Sequence, residues 1–172
     1  MTMKQRTRIV LIAVLTVIAT MIGAGQLSAQ TAPITITPLT PRSVVTDDAI
    51  LKLRLKHADG QGGTNVVKLR DMSLVVTAEI LVQPGARFPW HEHAGPVIVT
   101  VAEGELVYVG ADDCVHHSYP AGTAFVDPGN DTHSAYNPTS GVTRLIATFF
   151  NVAATGPLTL TEGVEPGDCA LP

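Results

Sequence analysis

Along this chain, apolar positions alternate with polar ones far more often than they recur at helical spacing. Ala49-Ile-Leu-Lys-Leu-Arg-Leu-Lys56 alternates apolar and basic residues with a period of two, as a half-buried strand does. Strand-like runs follow at residues 66–68, 73–82, 97–102, 105–109, 123–126 and 144–150, separated by turn-forming Gly, Pro, Asn and Asp. Between them nothing sustains a 3.6-residue period. Many short strands with regular turn signals predict a single all-β domain, a barrel or a sandwich. The segment His57-Ala-Asp-Gly-Gln-Gly-Gly63 breaks the first alternating run with turn chemistry, and His57 reads as a solvated turn residue.

The N-terminus has a different pattern. Lys4, Arg6 and Arg8 precede an almost wholly apolar run at residues 9–22, and Leu27-Ser28-Ala29 places a small residue before Gln30. That order predicts a secretory signal peptide over residues 1–29. The competing reading is an uncleaved anchor, since Leu27 is unusual three places before a cut. Against it, the apolar core is shorter than the roughly 20 residues that span a bilayer comfortably. Residues 30–43 carry Pro33, Pro38 and Pro41 and read as an extended lead-in with an edge strand at 34–37. Residues 44–152 are then the barrel and 153–172 a C-terminal tail. Cleavage after Ala29 leaves 143 of the 172 residues, ample for a buried core.

Removing the signal also changes the charge. The full chain has 11 Lys and Arg against 15 Asp and Glu. Losing Lys4, Arg6 and Arg8 leaves eight basic residues and a formal charge of −7. With no basic patch in the sequence, nucleic acid is excluded as a partner, and no membrane partner is expected after signal cleavage. No cysteine follows the apolar run, so a lipoprotein anchor is not supported. The two cysteines, Cys114 and Cys169, both lie in the exported part, where an even pair predicts a disulfide. The alternative is two thiols too far apart to meet. A secreted, extracytoplasmic location, periplasmic or extracellular, follows from the signal and the pair together.

The candidate chemistry lies in Gly85-Ala-Arg-Phe-Pro-Trp-His91-Glu-His93, with an echo at His133. Side chains two apart on a strand point to one face, so His91 and His93 aim at a common spot. Histidine is the commonest ligand for transition metals, and His133 is the natural third donor. The plain alternative is that the pair is solvated or satisfied within the core. His116 and His117 are adjacent, face opposite ways on a strand and are expected at the surface. Glu92 should point away from any ion its neighbours face, which leaves Tyr108 as a candidate acid or base. Trp90, Phe88, Tyr108, Phe125, Phe149 and Phe150 are candidate barrel-lining residues.

The spacing around these histidines resembles the paired motifs of the cupin superfamily. Gly85 precedes His91-Glu-His93, and Gly104 lies eleven residues beyond His93. The second block runs Gly122, Pro128, His133, Asn137. The resemblance covers residues 74–151 and implies a single cupin-type β-barrel, a double-stranded β-helix or jelly roll. It also implies that Pro128-Gly-Asn-Asp131 is a tight turn delivering His133 inward, with Asn137 fixing that turn. The family's first motif usually carries a glutamate where Val97 stands here, and no carboxylate replaces it in the sequence. Val97 shares odd parity with His91 and His93, and so faces the same way unless Gly95-Pro96 introduces a bulge. The expected metal ligands are therefore His91, His93 and His133, holding a divalent transition metal (Fe, Mn, Zn, Ni or Cu). Without a carboxylate such an ion keeps its full charge and favours an anionic or bidentate ligand.

The resemblance implies a mononuclear metal enzyme, dioxygenase-like or isomerase-like, acting on a small organic molecule. The alternatives are a noncatalytic barrel that binds a small ligand or metal, and a scaffold whose site is degenerate. The expected partner is a small-molecule ligand, with a homodimer as the expected assembly.

Overall fold

The structure, a computed structural model, describes residues 33–56, 64–69 and 73–172. The signal-peptide segment and the turn with His57 lie outside the described residues. Eleven strands and no helix occur among those described. They are β1 (Ile34–Pro38), β2 (Ser43–Val44), β3 (Leu51–Leu55), β4 (Asn65–Leu69), β5 (Leu74–Val82), β6 (Val97–Glu103), β7 (Glu105–Gly110), β8 (His116–Pro120), β9 (Ala124–Asp127), β10 (His133–Tyr136) and β11 (Thr143–Phe150). The periodicity located most of them. It missed β2, β8 and β10, which are too short or too polar to show an alternating run.

One sheet has the order β1-β5-β11-β6-β9, with β2 also paired to β5. A second has the order β10-β7-β8, and β3 and β4 form a separate hairpin. All these pairings are antiparallel. The expected edge strand at 34–37 is β1, hydrogen-bonded to β5 from Ile34↔Val82 to Pro38↔Ala78.

The sheets enclose the core by alternation. In β11, Thr143, Leu145, Ala147 and Phe149 are buried, while Arg144, Ile146, Thr148 and Phe150 face the other way, partly exposed. The partner β5 buries Val76, Ala78, Ile80 and Val82. Burial of each large apolar side chain here contributes roughly 1.5–3 kcal/mol. Phe150 therefore does not line the barrel, contrary to the expectation, because strand parity turns it away from the inward-facing Phe149. Trp90 also lies outside, beside Gly167 of the tail, because its neighbour His91 takes the inward direction.

Two close approaches fix the loops. Gly129 has φ +75° and lies so near Gly95 that an added Cβ would meet the Gly95 carbonyl carbon at 2.3 Å. This joins the loop after His93 to the turn before His133, backbone against backbone. At the other end Cys114 and Cys169 form the expected disulfide, with Cα atoms 5.2 Å apart. The bridge ties the C-terminal tail to the turn between β7 and β8.

Gly129→Ala should cost about 3 kcal/mol or more, because both the left-handed backbone and the backbone contact oppose it. Gly122→Ala, at φ +85° but with open space around it, should cost only about 1–2 kcal/mol. Urea unfolding of the disulfide-intact proteins checks this, and equal losses would reject the Gly95–Gly129 contact as a constraint. Unreduced, denatured protein should show almost no free thiol, and reduction should remove about 4 kcal/mol of stability by the chain-entropy relation for this loop. Two reactive thiols per chain would reject the bridge.

Candidate metal centre

Segment 85–93 runs antiparallel to β10. Phe88 N–H donates to Ala135 O, His91 N–H to His133 O at 2.9 Å, and His133 N–H to His91 O at 3.0 Å. His91 and His133 thus form a directly opposed backbone pair. Their ring centres are 4.1 Å apart, and His93 lies 4.9 Å from His91 and 5.2 Å from His133. One ring nitrogen from each histidine falls within 4.8 Å of the other two, and all three residues are buried. The expected turn carries His133 into place, with Gly129 and Asn130 at positive φ and Asn130 N–H bonded to His93 O.

Each imidazole is oriented by a backbone carbonyl. Nδ1 of His91 lies 2.7 Å from Pro89 O, Nδ1 of His93 lies 2.9 Å from Leu158 O, and Nδ1 of His133 lies 2.9 Å from Asp131 O. A carbonyl can only accept, so Nδ1 carries a proton in each ring; Nε2 of His91 and His93 then presents a lone pair, while Nε2 of His133 faces the carboxylate of Asp127. Such outer hydrogen bonds fix ring orientation and tautomer in metal sites. The three side chains therefore fit a transition metal. Burial, followed by the charges of His133 and His93, pushes His91 down to about 3. Burial is also the main cause lowering His93.

A fourth polar group, which the histidine spacing does not reveal, lines the same cavity. Asp127, 2% exposed, places Oδ2 3.0 Å from His133 Nε2, while its Oδ1 accepts from Gly129 N–H at 2.6 Å. The expectation that no carboxylate stands at the site is thus corrected. Strand pairing sets Asp127 directly opposite Val97, and both border the same cavity as the histidines. Val97 keeps its inward parity despite Gly95-Pro96. Burial alone would raise the Asp127 carboxyl, but His133 outweighs it and holds the group below its usual range. Burial likewise opposes protonation of His133, yet Asp127 raises it above its ordinary value. The one signal in the sequence was an acidic residue ending the apolar run Ala124-Phe-Val-Asp127.

The remaining expectations divide. Glu92 does turn away, accepting a hydrogen bond from Thr132 Oγ1 at 2.8 Å. His116 is exposed, but His117 is only 4% exposed and borders a large cavity, correcting its surface assignment. Its register opposite Tyr108 on β7 turns it inward. Asn137 does not fix the turn before His133. Its amide instead donates to Val82 O and Gly141 O and accepts from Thr139, closing the turn after β10.

The histidines border a cavity of about 50 Å³ lined by Val97, Val99, Leu106 and Phe149 among others. Tyr108 and Phe125 line both this space and an outer cavity of about 580 Å³. Glu92, Asp112, Asp113 and Asp131 border the outer cavity. With Asp127 inside, this acidity opposes the anionic ligand expected of a site with no carboxylate. Burial first, then the charge of Asp127, holds the Tyr108 phenol in its protonated form.

In metal-free protein the neutral His91 makes stability depend on pH. Its folded value lies below 6.5, so as pH falls below 6.5 the unfolded chain binds a proton that the folded one refuses. By pH 5 this removes about 2 kcal/mol, and His93 acts in the same direction. His133 opposes this only above 6.5, where the stability it contributes is lost as pH rises through its raised value. The melting temperature in chelator should fall by about 5 °C or more between pH 6.5 and pH 5. A flat or rising midpoint would reject neutral buried imidazoles.

Residues 78–149 match the family model of the cupin domain. No curated protein matches the chain in sequence. Among solved structures, the cupin domain of an XRE-family transcriptional regulator from Enterobacter cloacae is 16% identical, with a TM-score of 0.44 over 68% of this chain and 95% of that one. A polyketide cyclase from Streptomyces resistomycificus is 17% identical, with a TM-score of 0.44 over 69% of this chain and 74% of that one. A cupin superfamily protein from Desulfitobacterium hafniense is 14% identical, with a TM-score of 0.41 over 63% and 83%. The matched span holds all three clustered histidines and the antiparallel strands that position them, and residues 78–149 form a cupin domain.

Proposed function

We propose that this protein is an exported cupin that binds one divalent transition metal through His91, His93 and His133 and exposes it to a small molecule. The observation carrying the reading is the clustering of three buried imidazoles, with one nitrogen of each within 4.8 Å of the others and each ring held by a carbonyl at Nδ1. Imidazole donors suit Fe, Mn, Zn, Ni and Cu. When bound, such an ion supplies Lewis acidity or a redox step. The protein's own residues supply the geometry: Val97, Val99, Leu106 and Phe149 keep the inner cavity apolar, and Tyr108 holds a proton at the boundary with the outer one. The disulfide supports an oxidising compartment.

Dioxygenase-like or isomerase-like chemistry on a small organic molecule is the catalytic form of this reading. A noncatalytic metal-binding role is favoured by one observation. The inner space of about 50 Å³ is far smaller than the roughly 300–1,000 Å³ of ordinary small-molecule sites.

Protein purified from its native compartment should carry close to one transition-metal ion per chain. His93→Ala should lose most of it while staying folded, and His117→Ala should keep it. Full occupancy in His93→Ala would overturn the three-histidine reading. Oxygen-consumption and isomerisation screens on metal-loaded protein then separate the enzyme from the binder.

A further inference from the structure

The hairpin of β3 and β4 stands apart from both sheets of the barrel and sorts its side chains by face. Leu51, Leu53 and Leu55 are half-buried, and Leu55 borders the outer cavity. The other face is exposed. It carries Lys52 and Arg54 of β3 and Val66 and Lys68 of β4, with Ile50 and Lys56 continuing the alternation at either end of β3. Register sets Lys52 directly opposite Lys68 and Arg54 opposite Val66. Four of the eight basic residues that follow residue 29 therefore share one face. The sequence shows no such patch, because these residues alternate with leucine and belong to two strands that only pairing brings together. No acidic residue occurs within β3 or β4, and no described carboxylate pairs with any of the four. Like charges directly opposed on paired strands destabilise the pair. Ile50 and Val66, 63% and 53% exposed, leave aliphatic surface among these charges. Protecting an open strand edge from aggregation requires only a charge, of either sign. It accounts for neither four charges of one sign nor the two aliphatic side chains.

We propose that this face docks the protein on a bilayer surface rich in anionic lipid headgroups, with Lys52, Arg54, Lys56 and Lys68 on the phosphates and Ile50 and Val66 at the acyl boundary. This replaces the expectation that no membrane partner remains after signal cleavage. A bilayer receives both parts of the face, since headgroups attract the cations and the hydrocarbon beneath them accepts the aliphatic tips. A nucleic acid or an acidic polysaccharide offers negative charge but no hydrocarbon. The face also has no aromatic ring on which a base would stack. The negative balance of the rest of the chain does not prevent docking, because at physiological salt a charge is felt over only about 8 Å. The surface nearest the bilayer decides, and that surface is basic.

The test is sedimentation with lipid vesicles, using the disulfide-bonded chain from Gln30, which retains every described strand. Vesicles of equal parts phosphatidylcholine and phosphatidylglycerol should bind it, vesicles of phosphatidylcholine alone should not, and added salt should release it. Lys52→Gln together with Lys68→Gln should weaken binding about 25-fold, a factor of about five for each cation. The melting temperature of that variant should stay level or rise, because the opposed like charges are gone. Lost binding is then not lost folding. Lys52→Arg with Lys68→Arg should bind as the parent does, and Ile50→Ser with Val66→Ser should bind the mixed vesicles severalfold more weakly. Equal binding of neutral and mixed vesicles overturns the proposal, and so does unchanged binding in either the glutamine or the serine variant. Failure to bind mixed vesicles also overturns it. If double-stranded DNA or an acidic polysaccharide then retains the protein, the face belongs to a polymer instead.

Discussion

The paired backbone hydrogen bonds between His91 and His133 are the constraint on which the site depends. They set two imidazoles from residues 42 positions apart in the chain side by side, and the alternation of the first segment then brings in His93. This register is held at both ends. Asn137 and Ala86 pair at one end, and Asn130 reaches His93 O at the other, where Gly95 and Gly129 approach too closely for any side chain. Directional peptide bonds, rather than the histidines themselves, thus do the assembling. The rings arrive already oriented, so little side-chain entropy remains to be lost when a ligand binds.

The cavity is an electrostatic compromise. Three imidazoles and a carboxylate sit among Val97, Val99, Leu106 and Phe149, where desolvation disfavours every charge. His91 and His93 answer by remaining neutral, and Asp127 and His133 by supporting each other's charged forms. A cation in this space would find lone pairs and one negative charge already present. The same arrangement makes the metal-free barrel sensitive to acid.

The tail belongs to the site although it lies far from it in sequence. Leu158 supplies the carbonyl that orients His93, Leu160 pairs with Glu92, and Cys169 is bonded to Cys114. Oxidation of the cysteine pair thereby limits the freedom of the segment that holds one of the three rings. Formation of the disulfide and the geometry of the site are coupled through these few contacts.

Period-two alternation was enough to locate the long strands, since burial on one face leaves its mark on every second residue. Alternate histidines at His91 and His93, a third after a Gly-rich turn, and an even cysteine count were also legible in one dimension. Tertiary pairing decided the rest. Asp127 became part of the cavity because β6 and β9 set it opposite Val97, and His117 became buried because β7 and β8 set it opposite Tyr108. Local spacing fixes which side of its own strand a residue occupies. Which residue faces it across the sheet depends on register between distant segments, and no single stretch of sequence encodes that.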